Sequence, residues 1–246
     1  WEQLNGTATY EVKDNCIVGT TKKGSPNSFL CTKEKFSNFV LTYEFKLSTS
    51  QLNSGVQIRS STKGDDKYGR VHGYQVEIDG KERAWTGGIY DEARRGWLNN
   101  LADNPAARAA YKQGEWNHIR VAAVGDVIRT WINDVPAAFL IDDMTRTGFI
   151  GLQVHGIGNR DVDWNVRWRN IMIADLGYDP SNTLALLPAP RETVGMPAPQ
   201  HATVLFREKG DLAKNWQTVD GEAPAWAVTD EFIQIKPGSG GSIITK

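Results

Sequence analysis

The sequence predicts an all-β protein, a sandwich or barrel, interrupted by one short helix. Three observations predict it. Short runs of alternating apolar and polar residues recur between turn residues through the first 177 positions, the strand pattern of such folds. The 246 residues include 24 Gly, 9 Trp and 7 Tyr, a composition suited to many turns and flat aromatic surfaces. Helix signals converge on a single segment.

The expected strands are Tyr10–Val18, Ser28–Thr32, Val40–Leu47, Gly55–Arg59, Tyr74–Asp79, His118–Val124, Val127–Ile132, Phe149–Val154 and Val166–Ile173. In Val40–Leu47 the odd-numbered Leu41, Tyr43, Phe45 and Leu47 should point inward, because strand side chains alternate between faces. The helix should be capped by Asn104, start at Pro105, run through Ala106–Lys112 and stop at Gly114. Otherwise Gly80–Glu115 reads as a long irregular loop, and a loop of that length in a compact domain is usually functional.

Composition narrows the function. Hydrophobic residues make up 40% and charged residues 23%, values of a folded protein rather than a disordered one. Lys+Arg is 28 against Asp+Glu 29, a formal charge of -1. That balance speaks against nucleic acid as a partner, since phosphate binding requires surplus cations. No apolar run is long enough to span a membrane as a helix. Cys16 and Cys31 lack metal-ligand spacing. They read as two buried free thiols, with a cross-strand disulfide as the alternative. Starting at Trp1 without Met, the sequence reads as processed, trimmed or a fragment.

Beyond residue 177 the character changes. Pro180, Pro188, Pro190, Pro197 and Pro199 are half of the chain's 10 prolines, so residues 178–202 read as an extended linker. A repeat follows it. Trp1-Glu2-Gln3-Leu4-Asn5-Gly6 returns as Trp216-Gln217-Thr218-Val219-Asp220-Gly221, and Tyr10-Glu11-Val12-Lys13-Asp14 as Trp226-Ala227-Val228-Thr229-Asp230. Ile17 corresponds to Ile233, and Ser28–Lys33 to Gly241–Lys246. Residues 203–246 are therefore expected to open a second, truncated copy of the first domain.

Three strands carry an unusual polar face. Asn53, Gln57 and Arg59 share one face of the first, opposite Val56 and Ile58. Gln75, Glu77 and Asp79 share one face of the second, opposite Tyr74, Val76 and Ile78. Gln153 and His155 lie opposite Ile150, Leu152 and Val154 on the third. Ordinary solvated faces resemble Thr42, Glu44 and Lys46 on the Val40–Leu47 strand instead. A mixture of amides, Arg, His and a carboxylate pair is suited to hydrogen-bonding sugar hydroxyls. The segment Trp85–Trp97, with Tyr90, Glu92 and Arg94, is expected as the rim, and Trp131 is counted with the substrate-binding residues.

These segments resemble the 3-keto-disaccharide hydrolase domain family. The resemblance is carried by Asn53-Ser54-Gly55-Val56-Gln57-Ile58-Arg59-Ser60, Tyr74-Gln75-Val76-Glu77-Ile78-Asp79 and Trp85-Thr86-Gly87-Gly88-Ile89-Tyr90-Asp91-Glu92. Trp116-Asn117-His118-Ile119-Arg120, Gln153-Val154-His155-Gly156 and Arg167-Trp168-Arg169-Asn170-Ile171 carry it further. It covers residues 1–177 nearly end to end and residues 203–246 weakly. It implies a two-sheet antiparallel jelly roll of the concanavalin A and laminarinase type. It also implies a bacterial, exported protein that cleaves glycosides oxidised at C3, by hydrolysis or lyase chemistry. Some members use a divalent metal, for which Glu77 and His155 would be the candidate ligands.

A C3 ketone acidifies the C2 proton, because removing it leaves an enolate. Glu77 and His155 are then the acid/base candidates and Arg59 the partner of the enolate oxygen. Two other readings stay open. Glu77-Ile78-Asp79-Gly80-Lys81-Glu82 has the E-x-D-x-x-E spacing of retaining glucanases, with Glu77 and Asp79 about 6.6 Å apart along a strand. The same face would also serve a non-catalytic carbohydrate-binding module.

Overall fold

The computed structural model of the chain describes residues 1–64, 69–177, 209–228, 233–234 and 243–245. The chain divides into two compact units, Trp1–Ala189 and Pro190–Lys246. The expected linker, 178–202, lies outside the described residues, as do residues 203–208.

The first unit opens with β1 (Glu2–Leu4), β2 (Thr9–Lys13), β3 (Cys16–Thr20), β4 (Ser28–Cys31) and β5 (Asn38–Leu47). Next come β6 (Asn53–Thr62), β7 (Val71–Asp79), β8 (Ile89–Glu92), β9 (Gly96–Asn99) and the helix α1 (Pro105–Ala110). It ends with β10 (Asn117–Val124), β11 (Val127–Ile132), β12 (Val135–Ile141), β13 (Phe149–Val154) and β14 (Asn165–Gly177). Two seven-stranded sheets result, ordered β1-β4-β13-β6-β7-β8-β9 and β12-β11-β10-β5-β14-β3-β2. Neighbouring strands run antiparallel.

Alternation builds the core. On β5, Leu41, Tyr43, Phe45 and Leu47 are buried while Val40, Thr42, Glu44 and Lys46 are half-exposed. They meet Val56 and Ile58 of β6, Tyr74, Val76 and Ile78 of β7, and Ile150, Leu152 and Val154 of β13 in one cluster. Each such side chain contributes roughly 1.5–3 kcal/mol by leaving water. Cys16 and Cys31 lie on different sheets, both buried and both free thiols. Burial pushes the Cys31 thiol well above its ordinary range.

Three local expectations need correction. The run Tyr10–Val18 is a hairpin, β2 and β3, because Asp14 and Asn15 take φ of 52° and 56°. Two successive positive φ values close a two-residue turn whose twist matches the strands. The stretch Gly80–Glu115 is less irregular than expected, since β8 and β9 extend the first sheet. The helix starts as read, with the Asn104 side chain accepting from Ala107 N at 3.1 Å. It ends earlier, where Tyr111 turns extended.

The second unit contains α2 (Lys209–Asn215), β15 (Trp216–Thr218), β16 (Ala227–Val228), β17 (Ile233–Gln234) and β18 (Ile243–Thr245). β15 pairs with β18, and β16 with β17. Among the described residues no helix is long and apolar enough to cross a membrane.

Candidate functional site

The outer face of the first sheet carries a cleft of about 1020 Å³. Its floor comes from β6, β7 and β13, which place Asn53, Gln75, Glu77 and Gln153 along it. One wall comes from β8 and β9 with Tyr90, Glu92 and Trp97. The other comes from the segment after β13, with His155, Arg160 and Trp164. Gln75, Glu77 and Gln153 are buried and Asn53 half-buried, so this polar face is sunk beneath its walls rather than solvated.

A chain of hydrogen bonds runs along the floor. Ser60 Oγ donates to Gln57 Oε1 at 2.8 Å, and Gln57 Nε2 to Gln75 Oε1 at 2.7 Å. Gln75 Nε2 donates to Glu77 Oε2 at 2.8 Å, and Asn53 Nδ2 donates to Glu77 Oε1. Each amide thus has a fixed orientation, and both carboxylate oxygens are aimed. Glu77 is only 4% exposed. Burial pushes its pKa up to about 7, while the Asn53 and Gln75 amides pull the other way. Gly55, directly opposite Glu77 across β6 and β7, makes room for this arrangement. A Cβ there would stand 2.5 Å from Gln75 Cδ.

Gln153 differs from its neighbours. It is 0% exposed, and neither its amide nitrogen nor its oxygen has a hydrogen-bond partner. Since buried polar groups are almost always paired, Gln153 is the floor amide whose hydrogen-bonding capacity the protein leaves unused.

Arg83, in the turn after β7, lies against both the Trp85 and Trp97 rings, 4.6 and 5.4 Å from their centroids. Its Nε donates to Asp79, and one terminal nitrogen lies 4.0 Å from Glu77 Oε1. Asn27 ties two walls together. Its Oδ1 accepts from Gly156 N at 2.9 Å, and its Nδ2 donates to Glu92 Oε1 at 3.4 Å. Glu92 also pairs with Arg70. His155 Nδ1 lies 2.8 Å from Gly156 O. A carbonyl can only accept, so Nδ1 carries the hydrogen and Nε2 of the neutral ring is the free acceptor.

Of the residues singled out by sequence, Asn53, Gln75, Glu77, Tyr90, Glu92, Gln153 and His155 line the cleft. Gln57 and Asp79 lie buried beside it, Gln57 within the hydrogen-bond chain and Asp79 paired with Arg83. Trp85 backs the wall, edge-on to Trp97 at 4.9 Å. Arg94 is turned away, bound to Asp91 and lying over the Tyr74 ring.

Two placements are corrected. Arg59 does not face the cleft. A register shift between Ile58 and Ser61 and a φ of 47° at Arg59 break the alternation. Its guanidinium is fully buried and donates to Ser37 O, Gly125 O and Asn38 Oδ1. Trp131 belongs to β11 in the other sheet, beneath the guanidinium of Arg120. The E-x-D-x-x-E carboxylates do not share a face, since β7 ends at Asp79 and Glu82 sits in the following turn.

Sequence reading missed Asn27, Arg70, Arg83, Arg160 and Trp164. Alternation says nothing about residues outside strands, and no local pattern marked these. A metal does not fit the donors present. Among the described residues no three His, Cys, Asp or Glu side chains gather to hold one, and both Glu77 oxygens already accept from amides.

Comparison with known proteins gives a family. The model of the 3-keto-alpha-glucoside-1,2-lyase-like domain matches residues 1–174. No curated protein matches. Among solved structures, the carbohydrate binding module CBM66 from Bacillus subtilis is similar at 15% identity. It has a TM-score of 0.50 over 70% of this chain and 97% of that one. A Bacillus subtilis protein of unknown function with a galectin-like fold is similar at 11% identity. Its TM-score is 0.51, over 71% of this chain and 89% of that one. At these identities the likeness speaks for the jelly-roll sandwich alone.

Proposed function

The chain belongs to the 3-keto-alpha-glucoside-1,2-lyase-like domain family, and on that premise we propose that the cleft cleaves 3-keto-glycosides by elimination. The observation that carries the reading is Glu77, a buried carboxylate with a pKa near 7 at the floor of a polar cleft. A general base works best when its pKa lies near the working pH. A surface that only binds sugar gains nothing from burying a carboxylate at a cost in stability.

The ketone at C3 of the bound sugar makes its C2–H acidic. Glu77 takes that proton, and the C–H electron pair becomes an enolate over C2, C3 and the C3 oxygen. The enolate then re-forms the ketone as its electrons make the C1–C2 double bond and the C1–O bond breaks. The departing oxygen needs one proton, which His155 Nε2 supplies when the ring is protonated. His155 then recovers its proton from Glu77 through solvent. Arg83 takes the place first assigned to Arg59, as the cation near the enolate oxygen. Its charge is held by Asp79 and its plane by two indoles. Gln153 hydrogen-bonds the substrate's hydroxyls. Water added afterwards at C1 turns lyase into net hydrolase. Export from the cell belongs to the same reading, and fractionation of the source cells tests it.

Incubation with a 3-keto-glucoside tests the proposal. A 2-hydroxy-3-keto-glucal product means elimination, and 3-keto-glucose means water has been added. Glu77→Gln should lower turnover at least a hundredfold while retaining sugar binding. If the wild-type protein binds the sugar but forms neither product, the binding-module reading replaces this one.

A further inference from the structure

The cleft is larger than one sugar requires, and its far wall is built differently from the near one. At about 1020 Å³ it sits at the upper end of the range for drug-sized ligands. Glu77 on β7 neighbours the β8–β9 wall with Tyr90 and Trp97. From β7 the sheet continues through β6 to β13, about 10 Å at ordinary strand spacing, a span longer than one pyranose ring. Trp164, just before β14, is half-buried against the core and lines the cleft on the wall opposite β8 and β9. The guanidinium of Arg160 lies 5.8 Å from its ring centroid.

This wall is held in place. Thr21 N donates to Trp164 O at 2.9 Å, and Trp164 N to Thr21 Oγ1 at 3.1 Å. Thr21 Oγ1 donates to Val162 O at 3.1 Å, and Gly24 N to Gly158 O at 2.8 Å. A fixed indole beside a guanidinium offers an apolar platform and hydrogen-bond donors together. Such a pair suits a ring with one apolar face and a polar edge.

We propose that Trp164 and Arg160 form the subsite that holds a ring-bearing leaving group and set the preference for it. The inference rests on the reading of Glu77 as the base beneath C2. The C1 substituent is attached to the neighbouring carbon, and Trp164 and Arg160 line the same cleft as Glu77.

Calorimetric binding tests it without turnover, using methyl α-glucoside, phenyl α-glucoside and a glucosyl disaccharide. The wild-type protein should bind the two ring-bearing ligands at least tenfold tighter than the methyl glucoside. Trp164→Ala should erase that preference. Arg160→Ala, on an exposed side chain that cannot threaten the fold, should reduce it severalfold for the disaccharide. No preference in the wild type, or one that survives both substitutions, overturns the proposal. Failure of the catalytic reading looks different, because the preference would stand while Glu77→Gln left product formation unchanged.

A separate observation carries a second inference. In the first unit Glu2 lies opposite Cys31 and Gln3 opposite Leu30. In the second, Gln217 lies opposite Ile244 and Thr218 opposite Ile243, the positions that the sequence repeat equates with them. Likewise Val12 opposite Ile17 and Glu11 opposite Val18 return as Val228 opposite Ile233 and Ala227 opposite Gln234. Two separate strand pairings fall in the register the repeat requires, and a one-residue slip in either would break the agreement. We infer that the second unit repeats the opening strands of the first. Nuclear Overhauser contacts in the whole chain test this. Gln217 should contact Ile244, and Val228 should contact Ile233; a shifted register or different partners would refute it.

Discussion

At the floor of the cleft, the Gln153 amide is buried with neither atom paired, a condition that costs roughly 1–3 kcal/mol against a paired group. Replacing it with Met keeps the volume and removes the unpaired atoms. Gln153→Met should therefore raise unfolding stability by about 1–2 kcal/mol and weaken sugar binding at least tenfold. Denaturant melts and calorimetry would read the two effects, and a variant that loses stability would show that Gln153 has a partner in the free protein. Glu77 gives a pH signature. Its folded pKa of about 7 lies above the ordinary 4.5, so the neutral form favours the fold. That contribution is intact below pH 4.5 and disappears as pH rises through about 7. Glu77→Gln should flatten this part of the stability curve, leaving the variant more stable above pH 7 by up to about 3 kcal/mol. The acid limb of wild-type turnover should lie in the same window, because the base must be ionised, and turnover should fall again where the acid that protonates the leaving group loses its proton.

Single strands were the most legible elements. Alternation on β5, on β7 from Tyr74 to Asp79 and on β13 from Ile150 to Val154 identified both the core side and the polar side, because parity holds through those stretches. Reading failed at Arg59, where the bulge in β6 changes parity without a Gly or Pro to announce it. It failed again at β8 and β9, whose four residues each are too short for a period to show. The Asp14-Asn15 turn was readable in principle, since both residue types tolerate positive φ. Element geometry also explains Gly55, which the residue pattern alone leaves unexplained. Gly55→Ala would drive a methyl into Gln75 and interrupt the Gln57–Gln75–Glu77 chain. Overpacking of this kind costs about 1–3 kcal/mol. Loss of the Gln75 amide, which lowers the Glu77 pKa, should also move the rise in turnover to higher pH. A variant that keeps the wild-type pH profile would mean that Gln75 does not tune Glu77.

On the scale of the molecule, the floor of the site and part of its walls, Tyr90, Glu92 and His155, were legible, and the rest of the walls was not. The floor lies on strands, whose pattern is local. The residues that reading missed, Asn27, Arg70, Arg83, Arg160 and Trp164, lie outside strands and are brought together only by strand order. The β4-β13-β6-β7 neighbourhood joins segments more than a hundred residues apart, and no short window of sequence contains that information. The same topology shows which part of the chain is needed. Among the described residues, all that line the cleft fall between Asn27 and Trp164, and the main hydrophobic cluster is built from residues of the first unit. A sandwich of this length buries roughly 70% of the surface its unfolded chain exposes, enough to stand without help. Residues 1–177 expressed alone should therefore fold cooperatively, melt within a few degrees of the full chain, and keep its kcat/KM on a 3-keto-glucoside within about twofold, a free-energy difference near 0.4 kcal/mol. If the shortened chain folds but loses activity, residues after 177 contribute to the site, and the assignment of its floor and walls to the first unit is incomplete.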